Sequence, residues 1–232
     1  CARRKTAQEV DSALRGLVRD AAHHVPFYRD LYTKSGVDVA TFRGVSDLAA
    51  LPLATKEALL KHPERDRLRE GRDPLRSART STSGSTGEPF TIYLSRAELY
   101  FRRYTLLLTL GHYARLSFPL RVADVGPMVP HHDRSAEQHL GLVGLLRIPG
   151  DWPLSRQREA LLRYRPTILE GYPTCLELLA ESFSERGAAA IRPRLTVCRG
   201  ETLRPAAREL LERTFRSPVA NLYNCEEVGN VA

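Results

Sequence analysis

A loop rich in glycine and hydroxyl side chains carries the clearest chemistry in the sequence. It runs from Ser81 to Pro89 and reads Ser-Thr-Ser-Gly-Ser-Thr-Gly-Glu-Pro. Glycines let the chain wrap closely around an anion, and the backbone N–H groups of such a loop can all donate to it. A flexible linker has a similar composition. The ordered pattern favours a phosphate-binding loop, whose candidate contacts are Ser83, Gly84, Ser85, Thr86 and Gly87.

The residues that follow this loop separate it from the common ATP-binding P-loop. A Walker A loop ends in a lysine and leads into a helix. Here Glu88 and Pro89 follow the last glycine, and the segment from Phe90 to Leu94 alternates as a strand does. The sequence therefore excludes the usual P-loop NTPase and predicts a loop that leads into a strand.

Capping signals predict the helices around this loop. Thr6 and Glu9 form a capping box, and the apolar residues that recur on one helical face after it are Val10, Leu14, Leu17, Val18 and Ala21. Pro26 ends this helix, and further helices are predicted from Phe27 to Lys34 and after the N-cap Thr55. A second capping box at Ser95 to Glu98 predicts a long helix to about Arg115.

The rest of the chain alternates between predicted strands and helices. After a strand from Val122 to Val125, the order is helix Ser155–Tyr164, strand Thr167–Glu170, helix Pro173–Arg186, strand Leu195–Cys198, helix Pro205–Phe215 and strand Val219–Tyr223. Linked βαβ units of this kind form a mainly parallel sheet covered by helices, with sites at the carboxyl ends of the strands. We predict a helical region over residues 1–80 and an α/β part of the same domain over residues 81–232.

Three polar segments fall at these predicted strand ends. They are Gly171-Tyr172, Arg199-Gly200-Glu201 and the run from Asn224 to Glu227. Because carboxyl ends of parallel strands meet at one edge of a sheet, we expect the three segments to converge on one crevice.

Composition excludes several classes of protein. The 35 Lys and Arg residues outnumber the 27 Asp and Glu residues and leave a net charge of +8, but the densest basic window, Lys61 to Arg79, is interleaved with acidic residues. This mixed pattern indicates a solvated face and no nucleic-acid partner.

The four cysteines are far apart, which predicts neither a zinc site nor a disulfide framework and favours reduced thiols in the cytoplasm. No apolar run is long enough to span a bilayer, so no membrane partner is expected.

The motifs, taken in order, resemble those of the adenylate-forming superfamily. Thr82 to Pro89 is similar to its phosphate-binding signature [ST]-S-G-[ST]-T-G-x-P, and Tyr223 to Glu227 is similar to its Y-G-x-[ST]-E motif. The phenylacetate–CoA ligase-like branch is the most similar, on segments such as Val25–Arg29, Asp47–Glu57 and Arg165–Pro173. The resemblance implies the N-terminal large domain of such an enzyme, a mainly parallel sheet flanked by helices, with the small C-terminal domain absent from this chain. Since the chain begins at Cys1 and not at Met, we also expect residues before it.

The resemblance also implies roles for particular residues. Ser83 to Gly87 would contact the ATP phosphates, and Thr86 and Glu227 would act in catalysis, with Glu227 also a ligand of Mg²⁺. Gly200 and Glu201 would line the adenine. Tyr223 would stack on the adenine ring, with Asn224 beside it. The carboxylate pocket would draw on His131 and Tyr172.

For several of these residues a structural role is the alternative. Tyr223 and Tyr172 can instead be packed aromatics, and His131 and His132 can be ordinary loop histidines. Glu88, Asn224 and Glu226 depart from the family's usual Lys, Gly and Ser or Thr. Glu88 would repel phosphate unless it points away or binds metal, and Glu226 replaces a residue that usually contacts the phosphate.

The function implied by the resemblance is ATP-dependent activation of an aryl or acyl carboxylic acid. The acid would form an acyl-adenylate and then a thioester with coenzyme A. An adenylating amide or ester ligase of a biosynthetic pathway, or a non-catalytic nucleotide-binding domain, are the alternatives. A homodimer is one expected assembly.

Overall fold

The computed structural model describes residues 6–81, 90–102, 105, 118–127, 136–225 and 227–230. The chain divides into two compact units, Cys1–Leu99 and Tyr100–Ala232. The functional division predicted at residue 80 stays a prediction. Within the described part of the chain, no helix has both the length and the apolar character needed to cross a membrane.

The first unit opens with the predicted helical pair. Helix α1 (Ala7–His24) begins at the Thr6 capping box, where the Glu9 carboxylate accepts from the Thr6 N–H at 2.7 Å. Helix α2 (Pro26–Lys34) follows at once. Val18, Tyr32 and Phe42 form one buried core cluster of this unit. On the apolar face of α1, Val18 is buried whereas Leu17 is 67% exposed.

Short elements complete the first unit. Helix α3 (Lys56–Leu60) is capped by Thr55, as predicted, and the turns of 3₁₀-helix are Val45–Ala50, Glu64–Arg67 and Pro74–Arg76. Strand β1 (Ala78–Ser81) pairs antiparallel with β2 (Thr91–Leu94). Strand β2 was predicted, whereas β1 was not.

Helix α4 begins after Ser95, and its described part includes residues 96–102. The second predicted capping box is present, since the Glu98 N–H donates to Ser95 Oγ at 3.1 Å and the Ser95 N–H donates to Glu98 Oε2 at 2.6 Å. The predicted end near Arg115 lies outside the described residues.

A five-stranded parallel sheet organises the second unit and confirms the predicted fold class. Its strands are β3 (Leu120–Gly126), β4 (Val143–Pro149), β5 (Ile168–Gly171), β6 (Leu195–Arg199) and β7 (Val219–Leu222), in the order β4-β3-β5-β6-β7. Strand β4 and the short helix α5 (Ala136–His139) were not predicted. Gly144 and Pro149 interrupt the apolar pattern of β4 and hide it in the sequence.

Helices pack on one face of this sheet. They are α6 (Leu154–Tyr164), α7 (Pro173–Ser182), α8 (Glu185–Ile191) and α9 (Pro205–Phe215). All four contribute to one core cluster, with Val125 and Leu169 from the strands beneath them. The prediction of a single helix from Pro173 to Arg186 was wrong, because Ser184 caps a new helix by accepting from the Gly187 N–H. A small hairpin of β8 (Asn224–Cys225) and β9 (Gly229–Asn230) follows β7.

Candidate functional site

The carboxyl edge of the parallel sheet brings the three predicted strand-end segments together. Tyr172 follows β5, Gly200 follows β6 and Tyr223 follows β7. Arg199 and Leu222 are register partners in the neighbouring strands β6 and β7. Gly200 and Tyr223 are therefore the next residues along two paired strands, which places these strand ends at one edge of the sheet. Convergence of the three segments on one crevice stays a prediction.

The ring of Tyr172 lies between two glycines that have no room for a side chain. A Cβ atom on Gly126, at the end of β3, would lie 2.8 Å from Tyr172 Cδ2. A Cβ atom on Gly200 would lie 2.5 Å from Tyr172 Cε1, and Gly200 also has a φ of 79°. Tyr172 is half-buried, so its ring both packs against the ends of two strands and presents part of its surface at this edge.

Three charged side chains join adjacent strands just below this ring. The Arg199 guanidinium donates from Nη2 to Asp124 Oδ1 at 2.7 Å and from Nε to Glu170 Oε1 at 2.5 Å. The exposed fractions of the three side chains are only 21%, 17% and 14% for Arg199, Asp124 and Glu170. The Arg199 guanidinium carbon lies 5.6 Å from the centre of the Tyr172 ring.

The electrostatics of this cluster reflect its burial. Desolvation raises the pKa of Glu170 against the opposing attraction of Arg199, and the nearby Asp124 carboxylate adds to the rise. Burial disfavours the Arg199 charge, but Glu170 and Asp124 outweigh it and raise the Arg199 pKa. Arg199 is therefore held firmly as a cation between two acids. This cluster was not predicted from the sequence, although Asp124 and Glu170 are acidic residues within largely apolar strands.

Glu201 is engaged with the start of helix α7. Its Oε2 atom accepts from the Thr174 N–H at 3.1 Å and from the Thr174 hydroxyl at 2.7 Å. A carboxylate at a helix N-terminus satisfies unpaired backbone donors and complements the helix dipole. This contact anchors the residues just after Gly200. The role predicted for Glu201 beside adenine stays a prediction.

Tyr223 lies on the surface at the end of β7. It is 68% exposed, so the alternative of a buried core aromatic was wrong. An exposed aromatic ring beside a turn that carries a glycine is available for stacking against a planar ligand. Asn224 is half-buried and pairs with Asn230 in the β8–β9 hairpin.

Glu227 lies in the turn of that hairpin and is exposed. Arg102 Nη2 donates to its backbone carbonyl at 2.8 Å, which fixes the turn. Within the described residues, no group of three or more His, Cys, Asp or Glu side chains is placed to hold a metal ion. A single exposed carboxylate fits Mg²⁺ bound largely through substrate phosphates and waters, which is the usual protein environment of this ion.

The other predicted site residues lie outside the described residues. They are the loop Ser83, Gly84, Ser85, Thr86 and Gly87, the neighbouring Glu88, His131 with His132, and Glu226. The structure does describe both ends of the loop segment. Ser81, before the loop, and Thr91, after it, are register partners in the paired strands β1 and β2. Residues 82–90 therefore connect two neighbouring antiparallel strands.

The described cysteines, Cys175, Cys198 and Cys225, are all free thiols. Burial raises the pKa of Cys198 to about 12. Desolvation, with a smaller contribution from Glu201, also raises the pKa of Cys175. These shifts favour neutral, unreactive thiols at both positions.

Comparison with solved structures defines the class of fold. A crystal structure of 2-hydroxyisobutyryl-CoA ligase in an open conformation, in complex with 2-HIB-AMP and CoA, matches 94% of this chain and 50% of that chain at a TM-score of 0.75 and 16% identity. The same ligase in the postadenylation state with R3-HIB-AMP matches 96% of this chain and 49% of that chain, at a TM-score of 0.75 and 15% identity. The fold is that of the N-terminal part of adenylate-forming CoA ligases.

Comparison of sequences points to a particular relative. The chain is 25% identical over 227 residues to phenylacetate-coenzyme A ligase of Thermus thermophilus. The aligned residues cover 94% of this chain and 49% of the relative. No protein-family model matches the chain. The resemblance to the phenylacetate–CoA ligase-like branch is thus confirmed over most of this chain, and the chain spans about half the length of the relatives it matches.

Proposed function

We propose that this chain is the nucleotide-binding part of an ATP-dependent acid–thiol ligase. The observation that carries the proposal is the register pairing of Arg199 with Leu222, because Gly200 and Tyr223, which the resemblance expects beside adenine, directly follow this pair at the ends of β6 and β7. The similarity to a phenylacetate-coenzyme A ligase supports the same reaction class. An aryl or acyl carboxylic acid is the proposed substrate, and ATP and coenzyme A are the co-substrates.

In the proposed first step, a substrate carboxylate oxygen attacks the α-phosphorus of ATP. The new P–O bond gives an acyl-adenylate, and the bond to the leaving pyrophosphate breaks. No protein nucleophile is needed, so the protein contributes positioning and charge stabilisation. The exposed ring of Tyr223 would stack on adenine beside Gly200 and Glu201, and Ser83 to Gly87 would donate to the phosphates, with Thr86 among the catalytic contacts.

In the second step, the thiol of coenzyme A attacks the acyl carbonyl and AMP leaves. Tyr172 and His131 are the proposed contacts of the acyl group. Glu227 is the proposed protein ligand for Mg²⁺, which would neutralise phosphate charge when bound. A cytoplasmic location and a homodimeric assembly stay predictions.

The test is ATP–pyrophosphate exchange by the full-length protein against a panel of aryl and alkyl carboxylates, followed by an assay for the CoA thioester. We expect at least one acid to give exchange and a thioester. Exchange without a thioester, but with transfer to an amine or a carrier protein, would support the amide or ester ligase instead. A folded protein that binds AMP but exchanges with no acid would support the non-catalytic alternative.

A further inference from the structure

We infer that Arg199 is a positioning residue for the nucleotide- and acid-binding edge of the sheet. Held between Asp124 and Glu170, its guanidinium fixes the Tyr172 ring and the Gly200 turn against each other. The inference rests on the proposed function, since it explains how that site keeps its shape.

The three charged residues tie together three neighbouring strands. Asp124 in β3 and Glu170 in β5 are register partners, and Arg199 comes from the end of β6. Arg199 uses two different nitrogens, Nη2 and Nε, for the two carboxylates. Only the forked guanidinium can reach two acids from one rigid plane, so a lysine at this position could neutralise charge without fixing the same geometry.

Each member of the cluster lies one or two residues before Tyr172 or a glycine that its ring contacts. Asp124 is two residues before Gly126, Glu170 is two residues before Tyr172 itself, and Arg199 is followed by Gly200. The ring touches the positions of both glycines. Any shift of one strand end relative to the others would therefore move the ring or open a gap beside it.

The neighbouring charged groups hold the Arg199 guanidinium in place. Two buried carboxylates on adjacent strands repel each other, and Arg199 compensates both of them. Arg147 in β4 is the register partner of Asp124 and lies at the other side of the pair. The Arg199 guanidinium also lies within cation–π range of the Tyr172 ring.

A purely structural ion pair and a positioning role predict different kinetics. If Arg199 only stabilises the fold, its removal lowers thermal stability and leaves the Michaelis constants of the folded protein unchanged. If it positions Tyr172 and Gly200, the folded protein has altered KM for ATP and for the acid, because the walls of the site have moved.

The experiment compares variants of the full-length protein in ATP–pyrophosphate exchange and in AMP titration by calorimetry. Arg199→Met removes the guanidinium, and Arg199→Lys keeps only the charge. A triple variant, Asp124→Asn with Glu170→Gln and Arg199→Met, removes all three charges and leaves no buried acid uncompensated, so it keeps the test valid if Arg199→Met does not fold. Arg204→Met is the matched control, since Arg204 forms a two-bond ion pair with Glu177 on the exposed side of α7 and α9.

We expect Arg199→Met and the triple variant to raise the KM for ATP or the acid at least tenfold. Arg199→Lys should recover thermal stability better than it recovers KM, and Arg204→Met should stay within twofold of wild type in both KM values. Wild-type KM and kcat in the folded triple variant would overturn the positioning role and leave the proposed function standing. A wild-type protein that neither exchanges with any acid nor binds AMP would overturn both.

Discussion

Thr174 and Glu201 are joined by two hydrogen bonds to a single carboxylate oxygen, at 3.1 Å from the Thr174 N–H and 2.7 Å from its hydroxyl. The pair links the turn after β6 to the first turn of α7. It therefore connects a predicted ligand-binding segment to a helix that buries Leu176, Leu179 and Ala180 in the core.

Glu201→Ala should destabilise the protein by about 1 kcal/mol, since it removes charge-assisted hydrogen bonds at an exposed helix N-terminus. Thr174→Ala should cost a similar amount. The double variant should cost clearly less than the sum of the two, and urea unfolding of all four proteins measures the difference. Simple additivity would show that the two side chains do not interact in solution.

Gly126→Ala and Gly200→Ala should both destabilise the fold by crowding Tyr172. We expect about 2 kcal/mol for Gly126→Ala from overpacking and about 3 kcal/mol for Gly200→Ala, whose positive φ adds backbone strain. Adding Tyr172→Ala should restore most of the stability lost in Gly126→Ala. It should restore less of the stability lost in Gly200→Ala, because the backbone strain remains. Thermal unfolding gives both comparisons.

Gly16→Ala is the control for these glycine replacements. Gly16 lies inside α1, and beyond its chain neighbours and the backbone of its own helix no atom lies within 4 Å of an added Cβ, so the substitution should stabilise the helix by about 0.5–1 kcal/mol. Unchanged stability in Gly126→Ala and Gly200→Ala would mean that the Tyr172 ring moves aside freely, which contradicts a ring fixed between the strand ends.

Tyr223→Ala should separate binding from folding. The side chain is 68% exposed, so the free energy of unfolding should change by less than about 0.5 kcal/mol. Loss of stacking should weaken AMP binding by about 1–3 kcal/mol, and Tyr223→Phe should keep most of the affinity. Tyr100→Ala, at a tyrosine that is 57% exposed, is the matched control in the same calorimetric titration. Equal AMP affinity in Tyr223→Ala would remove the stacking role.

Cys198 should make stability depend on pH in the alkaline range. Because burial raises its pKa to about 12, the neutral thiol is favoured in the folded protein. This contribution is complete below the ordinary thiol pKa and is lost as the pH rises towards 12. Between pH 9 and 12, the raised pKa of Cys198 should lower the free energy of unfolding by about 1.4 kcal/mol per pH unit.

The measurement is urea unfolding at pH 8, 9 and 10 for wild type and Cys198→Ala. The variant should start less stable because of the smaller side chain, and its stability should fall less steeply between pH 9 and 10. Parallel pH profiles would show that the pKa of Cys198 is not raised in the folded protein. In wild type at pH 8, a maleimide should label the exposed Cys225 and spare Cys198 until denaturant is added.

Much of the fold was predictable because its signals are local. The capping boxes at Thr6 and Ser95 are complete within four residues, and both are present in the structure. Helix α9 has the predicted bounds from Pro205 to Phe215. Strand β4 was missed because its evidence is not local: it is stabilised by register pairing with β3, and its own sequence carries Gly144 and Pro149.

The sequence by itself determined the strands β3, β5, β6 and β7, and therefore which segments would fall at their ends, whereas β1, β4 and α5 were not predicted. It determined this because periodicity and capping depend on neighbours along the chain. Only the tertiary structure decided what those segments contact. Arg199 meets Asp124 from 75 residues away, and Tyr172 lies between Gly126 and Gly200, because parallel strand pairing brings distant residues together at distances that no sequence spacing encodes.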